Sequence, residues 1–135
     1  GGAFVNTSVR RNLLEKLKNK VYRDAYVDQD IRNGIASQIR AMRESRGWTQ
    51  SELGQRAGMA QETISQLEDP EYGRVTLGTL KRLASAFDVA MTVRFAPFSG
   101  QVARVSRLSA DDLDVPDFHN DRLTEEPPQR RIAVQ

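Results

Sequence analysis

Thr49-Gln50-Ser51-Glu52-Leu53-Gly54-Gln55-Arg56-Ala57-Gly58-Met59-Ala60-Gln61-Glu62-Thr63-Ile64-Ser65-Gln66-Leu67-Glu68 spells two short helices hinged at a glycine. Thr49 followed by Glu52 has the spacing of a capping box, in which each side chain satisfies an orphan amide at the start of the first helix, so that helix begins at about Gln50. Leu53 and Ala57 lie four apart on one face, and Gly58 supplies the left-handed residue that ends the helix. In the second helix Ile64 and Leu67 face inward. Small Gly54 and Ala57 let the two helices cross closely. The opposite face of the second helix carries Gln61, Glu62, Ser65 and Gln66, whose amides, carboxylate and hydroxyl have the chemistry to read base edges.

In the pattern T-Q-x-x-L-G-x-x-A-G-M-A-Q-x-x-I-S-x-L-E the chain resembles the lambda-repressor-like, XRE-type DNA-binding domain. The resemblance covers residues 31–90. It takes in Ile35, Ile39, Met42, Arg43 and Gly47 before the motif and Leu77, Leu80, Leu83, Ala84, Phe87 and Val89 after it. Two residues depart from the family's habit. Gly54 stands in place of alanine, at about 1 kcal/mol of helix propensity, and Ala60 in place of serine or threonine, forgoing an N-cap worth roughly 1 kcal/mol. The implied fold class is mainly α: a lambda-repressor-like helical domain with an N-terminal helical extension and a short C-terminal strand. The resemblance also implies that Gln50 contacts the DNA backbone and that Arg43 and Glu68 form a structural pair joining the preceding helix to the end of the recognition helix.

Composition bounds the rest. With 135 residues and 39% hydrophobic content, the chain suits one small core with appendages. No cysteine and one histidine are present, which excludes disulfides and thiolate metal sites. No Cys-His, Ser-His-Asp, metal or phosphate-loop constellation appears, so neither an enzyme nor a cofactor is expected. His119, between Asp117 and Asp121, is a lone imidazole and not a metal set. No apolar stretch approaches the ~18 residues of a membrane span. The Gly1-Gly2-Ala3-Phe4 start lacks a signal-peptide layout, and a cytoplasmic location is expected. Charge is uneven: residues 1–110 carry +6 and residues 111–135 carry −4, together the +2 of the whole chain. The body suits a polyanion and the tail does not.

Outward from the motif, four segments follow. Residues 1–30 form a helical extension: Thr7 or Ser8 caps a basic amphipathic helix with Leu13, Leu14 and Leu17. From Val21 the spacing of Ala25, Val27, Ile31, Ile35, Ile39 and Met42 predicts one long helix to about Ser45, with a bend allowed at Asn33-Gly34. The domain of residues 31–90, with the helix-turn-helix at 49–69, starts inside it. Asp69-Pro70-Glu71-Tyr72-Gly73 is a turn, and Thr76 caps a helix to about Phe87. In residues 91–108 the period changes to two, with Met91, Val93 and Phe95 alternating with polar or small residues until Pro97. This predicts a strand that pairs with its copy in a homodimer, followed by a short helix capped by Ser99 and holding Val102, Val105 and Leu108, or by a second strand. Residues 109–135 are acidic and proline-containing, with little fixed structure expected.

The function expected is a homodimeric transcriptional regulator that lays residues 60–69 in the major groove of double-stranded DNA. Gln61, Glu62, Ser65 and Gln66 are the base-reading candidates, with Glu62 either reading cytosine or orienting a neighbour. Gln50, Arg40, Arg46, Tyr72 and Arg74 are candidates for phosphates. The alternative is an antitoxin that inhibits a partner toxin and represses their shared promoter through the same motif. Trp48 is expected to pack in the core.

Overall fold

The computed structural model describes residues 7–105 and 113–125. Six α-helices follow one another there: α1 (Thr7–Leu17), α2 (Lys20–Ser45), α3 (Gln50–Ala57), α4 (Gln61–Leu67), α5 (Leu77–Phe87) and α6 (Phe98–Val105). Two 3-10 turns, Phe118–Asn120 and Arg122–Thr124, come after them.

The first helix already includes Thr7 and Ser8. Leu17 is its buried residue, while Leu14 remains exposed. Only Lys18 and Asn19 separate α1 from α2. Asn19 accepts from the Tyr22 amide as N-cap, and Arg23 Nη1 donates to the carbonyls of Leu17 and Lys18, each at 3.2 Å. The joint therefore satisfies both helix ends at once. Its 26 residues make α2 about 39 Å long at 1.5 Å per residue, and it runs unbroken through Asn33 and Gly34.

The core forms where the C-terminal part of α2 meets α3, α4 and α5. Ile39, Met42, Leu53, Ala57, Ile64, Leu67, Leu83 and Phe87 are buried together, with Ile35, Trp48, Leu80 and Val89 at its margin. Leu77, by contrast, stays exposed as the first residue of α5. The capping box at Thr49 and Glu52 is made, and Gly58 ends α3 at φ +67°. Ala60 makes no side-chain cap, so α4 depends on the burial of Ile64 and Leu67.

Packing also gives Gly54 a reason that helix propensity does not. A Cβ there would lie 2.5 Å from the Met59 carbonyl oxygen. The turn folds back onto this residue, and the Met59 amide donates to the Gly54 carbonyl at 2.8 Å. Overpacking of this kind costs about 1–3 kcal/mol, more than the roughly 1 kcal/mol that alanine recovers in propensity. Gly54→Ala should therefore lower the melting temperature in thermal circular dichroism; an increase would show that the turn gives way freely.

Two expectations are corrected. No strand forms over residues 91–97, because a strand needs a ladder partner and no described segment of the chain lies alongside. Val93 and Phe95 are left exposed and Met91 half-buried. The helix after Pro97 begins at Phe98, one residue before the expected cap Ser99, and Leu108 lies outside the described residues.

The second correction concerns the tail, of which residues 113–125 have fixed structure. Val115 packs against the core, Ser45 Oγ donates to Asp114 at 2.7 Å, and the Phe118 amide donates to the Asp88 carbonyl at 3.0 Å. Acidic composition argued against order, but an apolar contact and satisfied backbone groups outweigh it here. Residues 109–112 and 126–135 lie outside the described residues.

Candidate nucleic-acid interface

Helix α4 is amphipathic over seven residues: Ile64 and Leu67 are buried, and Gln61, Glu62, Ser65 and Gln66 are exposed. Those four occupy positions i, i+1, i+4 and i+5, which share one face of a helix. Gln50 is the first residue of α3, where free amides and the helix dipole favour an anion. Gln61 Nε2 donates to Gln50 Oε1 at 2.8 Å, so the two amides are one unit. Among the described residues the Gln50 amide nitrogen and the Gln61 amide oxygen make no further hydrogen bond, leaving a donor at the helix start and an acceptor on the α4 face. Sequence reasoning missed this link, since the residues are eleven apart in different helices. Its signal was the presence of an amide at the first position of each helix of the hinge.

The orientation of α4 is set from behind. Arg43 on α2 grips Glu68, the residue capping the end of α4, through two parallel bonds: Nε to Oε2 at 2.7 Å and Nη2 to Oε1 at 2.9 Å. The third guanidinium nitrogen donates to the Trp48 carbonyl at 2.8 Å. The side chains are 12% and 5% exposed. The Glu68 hydrogen bond holds the Arg43 pKa above its ordinary value against the opposing effect of burial. Arg82 donates to the Gly58 carbonyl and closes the turn between α3 and α4 from a third side.

The phosphate candidates divide. Arg74 is exposed and Tyr72 half-buried, on either side of Gly73 in the loop that leaves α4. Arg40 is exposed on α2 but paired with Glu44 at 2.9 Å, and this hydrogen bond holds the Glu44 carboxyl below its ordinary pKa.

Arg46, expected at the surface as a phosphate candidate, is turned inward. Nη2 donates to the carbonyls of Phe87 and Val115, each at 3.0 Å, while the guanidinium carbon lies 5.1 Å from the Phe87 ring centroid. Trp48 stacks on Phe87 with centroids 5.8 Å apart, and Arg56 covers it at 4.2 Å. A cation at a helix end reads as a surface charge in sequence. Here three carbonyls, those of Met42, Phe87 and Val115, and two rings claim it.

His119 meets the Phe118 ring edge-on at 5.6 Å, and among the described residues no three His, Asp or Glu side chains are grouped to hold a metal ion. No helix among them is long and apolar enough to cross a membrane.

Comparison with known proteins finds a family model similar to the central part of the chain. Residues 39–93 match the family model described as Helix-turn-helix. The chain is 35% identical over 59 residues to Antitoxin HipB of Escherichia coli (strain K12), a match covering 44% of this chain and 66% of that protein. It is 27% identical over 89 residues to a Neisseria hypothetical transcription factor of Neisseria meningitidis serogroup B, covering 66% of this chain and 82% of the relative. The chain thus spans just under two thirds of the length of HipB. No solved structure matches it.

Proposed function

We propose that this chain, whose residues 39–93 carry an XRE-type helix-turn-helix, is a sequence-specific DNA-binding transcriptional regulator acting as a homodimer on a near-palindromic operator. The observation that carries the proposal is the coupled Gln50 and Gln61 pair at 2.8 Å. It puts a backbone-directed donor and a base-directed acceptor on one rigid unit, beside the exposed Glu62, Ser65 and Gln66. With residues 60–69 in the major groove, Gln61 and Gln66 read adenine edges, Glu62 meets cytosine or orients Gln61, and Gln50 and Arg74 bind the backbone. Residues 91–97 supply the dimer contact: Val93 and Phe95 are exposed, and the same segment of a second copy would provide the ladder partner that this extended stretch lacks within one chain.

Selection of bound fragments from a random DNA pool tests site, symmetry and dimer together. Two half-sites related by a dyad are expected, and a single asymmetric site would remove the dimer. Gln66→Ala should cost about 1–3 kcal/mol of discrimination at one base pair, whereas Gln50→Ala should weaken binding to all sequences. An unchanged sequence preference for Gln66→Ala would remove it as a reader.

A second reading, an antitoxin that represses its own promoter through the same face, is favoured by the similarity to HipB. Protection of cells from the product of an adjacent gene by both this chain and Gln66→Ala, in which operator reading is impaired, would establish the antitoxin role, and protection by neither would remove it.

A further inference from the structure

The loop that leaves α4 is braced by a residue that precedes the family segment. Arg32 lies in α2, upstream of residues 39–93. Its guanidinium rests against Gly73 so closely that a Cβ on that glycine would fall 2.9 Å from Arg32 Cζ, 3.1 Å from Nη1 and 3.2 Å from Nε. Three nearly equal distances mean that the guanidinium presents its flat face to the glycine. Gly73 also has φ +63°, a backbone conformation that residues other than glycine rarely adopt. One helical turn before Arg32, Asp28 Oδ2 lies 2.9 Å from Nε as an ion pair, without the alignment of a hydrogen bond: among the described residues the buried Nε–H has no hydrogen-bond partner. Asp28, Arg32 and Gly73 line a cleft of about 100 Å³ between α2 and the loop, together with Leu67, Asp69 and Pro70.

The loop needs such a brace in its second half. Its first half is ordered by Asp69, which accepts from the Glu71 amide at 2.9 Å and, through its carbonyl, from the Tyr72 amide at 3.1 Å. Among the described residues no hydrogen bond restrains the amides of Gly73 and Arg74. Those amides and the exposed Arg74 side chain are the groups the loop can offer to an anion.

We propose that Arg32, paired in charge with Asp28 and laid flat against Gly73, is a positioning residue for DNA-backbone binding, holding the Tyr72-Gly73-Arg74 loop in register with the phosphates beside α4. The inference rests on the DNA-binding reading above. It makes the long N-terminal half of α2 part of the interface, although that half carries none of the base-reading residues. A planar guanidinium against a bare Cα is a fit that the point charge of lysine does not reproduce.

The parent chain, Arg32→Ala, Arg32→Lys and Asp28→Asn are titrated against a selected operator fragment and an unrelated duplex over a range of salt, with melting temperatures measured in parallel. Arg32→Ala is expected to weaken binding to both duplexes about fivefold and to make the salt dependence shallower by about one phosphate contact, with sequence preference and melting temperature unchanged. Arg32→Lys should fail to restore the parent values, and Asp28→Asn should move affinity a shorter way in the same direction. Equal affinity and salt slope in Arg32→Ala overturn the inference and leave the DNA-binding reading standing. Full restoration by Arg32→Lys overturns it in favour of a bare charge. A loss of affinity tracking a loss of melting temperature in both Arg32→Ala and Asp28→Asn overturns it in favour of stability alone. Failure of the parent chain to bind any duplex overturns both.

Discussion

Glu68→Ala should destabilise the fold by about 3–5 kcal/mol, because it leaves the Arg43 guanidinium without its carboxylate in a site where little water can replace it. Arg43 is only 12% exposed in its side chain and Glu68 5%, and both oxygens of the carboxylate are engaged. A large fall in melting temperature and in the denaturation midpoint is expected. An exposed pair would give at most about 1 kcal/mol, so a small shift would show that the site is wetter than its packing suggests. The loss should reach α4 first, since Glu68 caps that helix and α4 has no N-cap side chain of its own. Pairing the change with Arg43→Met should recover part of the loss, because the orphaned charge is then removed as well.

Phe87→Ala should cost a similar amount, about 3–5 kcal/mol for a buried aromatic ring. Phe87 is 1% exposed. It stacks on Trp48 and lies under Arg46, whose bond to the Val115 carbonyl ties the C-terminal segment to the body. Two readouts should therefore move together: the global melting temperature falls, and amide exchange speeds up at Phe118, which donates to the Asp88 carbonyl, relative to the rest of the domain. A destabilised variant with unchanged relative protection at that amide would mean that residues 113–125 dock independently of the Trp48 and Phe87 stack. Phe87→Leu should keep more of the docking, since it refills much of the cavity.

What the sequence alone determined was set by contacts within a turn or two of chain. The capping box of Thr49 and Glu52, the left-handed Gly58, the inward pair Ile64 and Leu67 and the cap at Thr76 follow from spacings of three and four residues, and these local rules place α3, α4 and α5. The outward set Gln61, Glu62, Ser65 and Gln66 follows from the same period, because burial of one face of a helix dictates exposure of the other. The pairing of Arg43 with Glu68 came from family resemblance, since no local periodicity joins residues 25 apart.

Only the tertiary structure decided where the other polar groups turn. Arg46 has the sequence context of a surface cation, yet the carbonyls of Phe87 and Val115, 41 and 69 residues away, draw it inward. Gln50 meets Gln61, Gly54 leaves room for the Met59 carbonyl, and Arg32 lies on Gly73 for the same kind of reason. Alternation over residues 91–97 described a strand, but a strand is completed by a neighbour. Acidity over residues 113–125 described a solvated tail, but one valine, one serine and one arginine sufficed to dock it. Helix formation is governed by bonds four residues apart and is legible along the chain. The partner of a long polar side chain is fixed by which distant backbone groups the packed core leaves unsatisfied, and those become defined only when the helices have met.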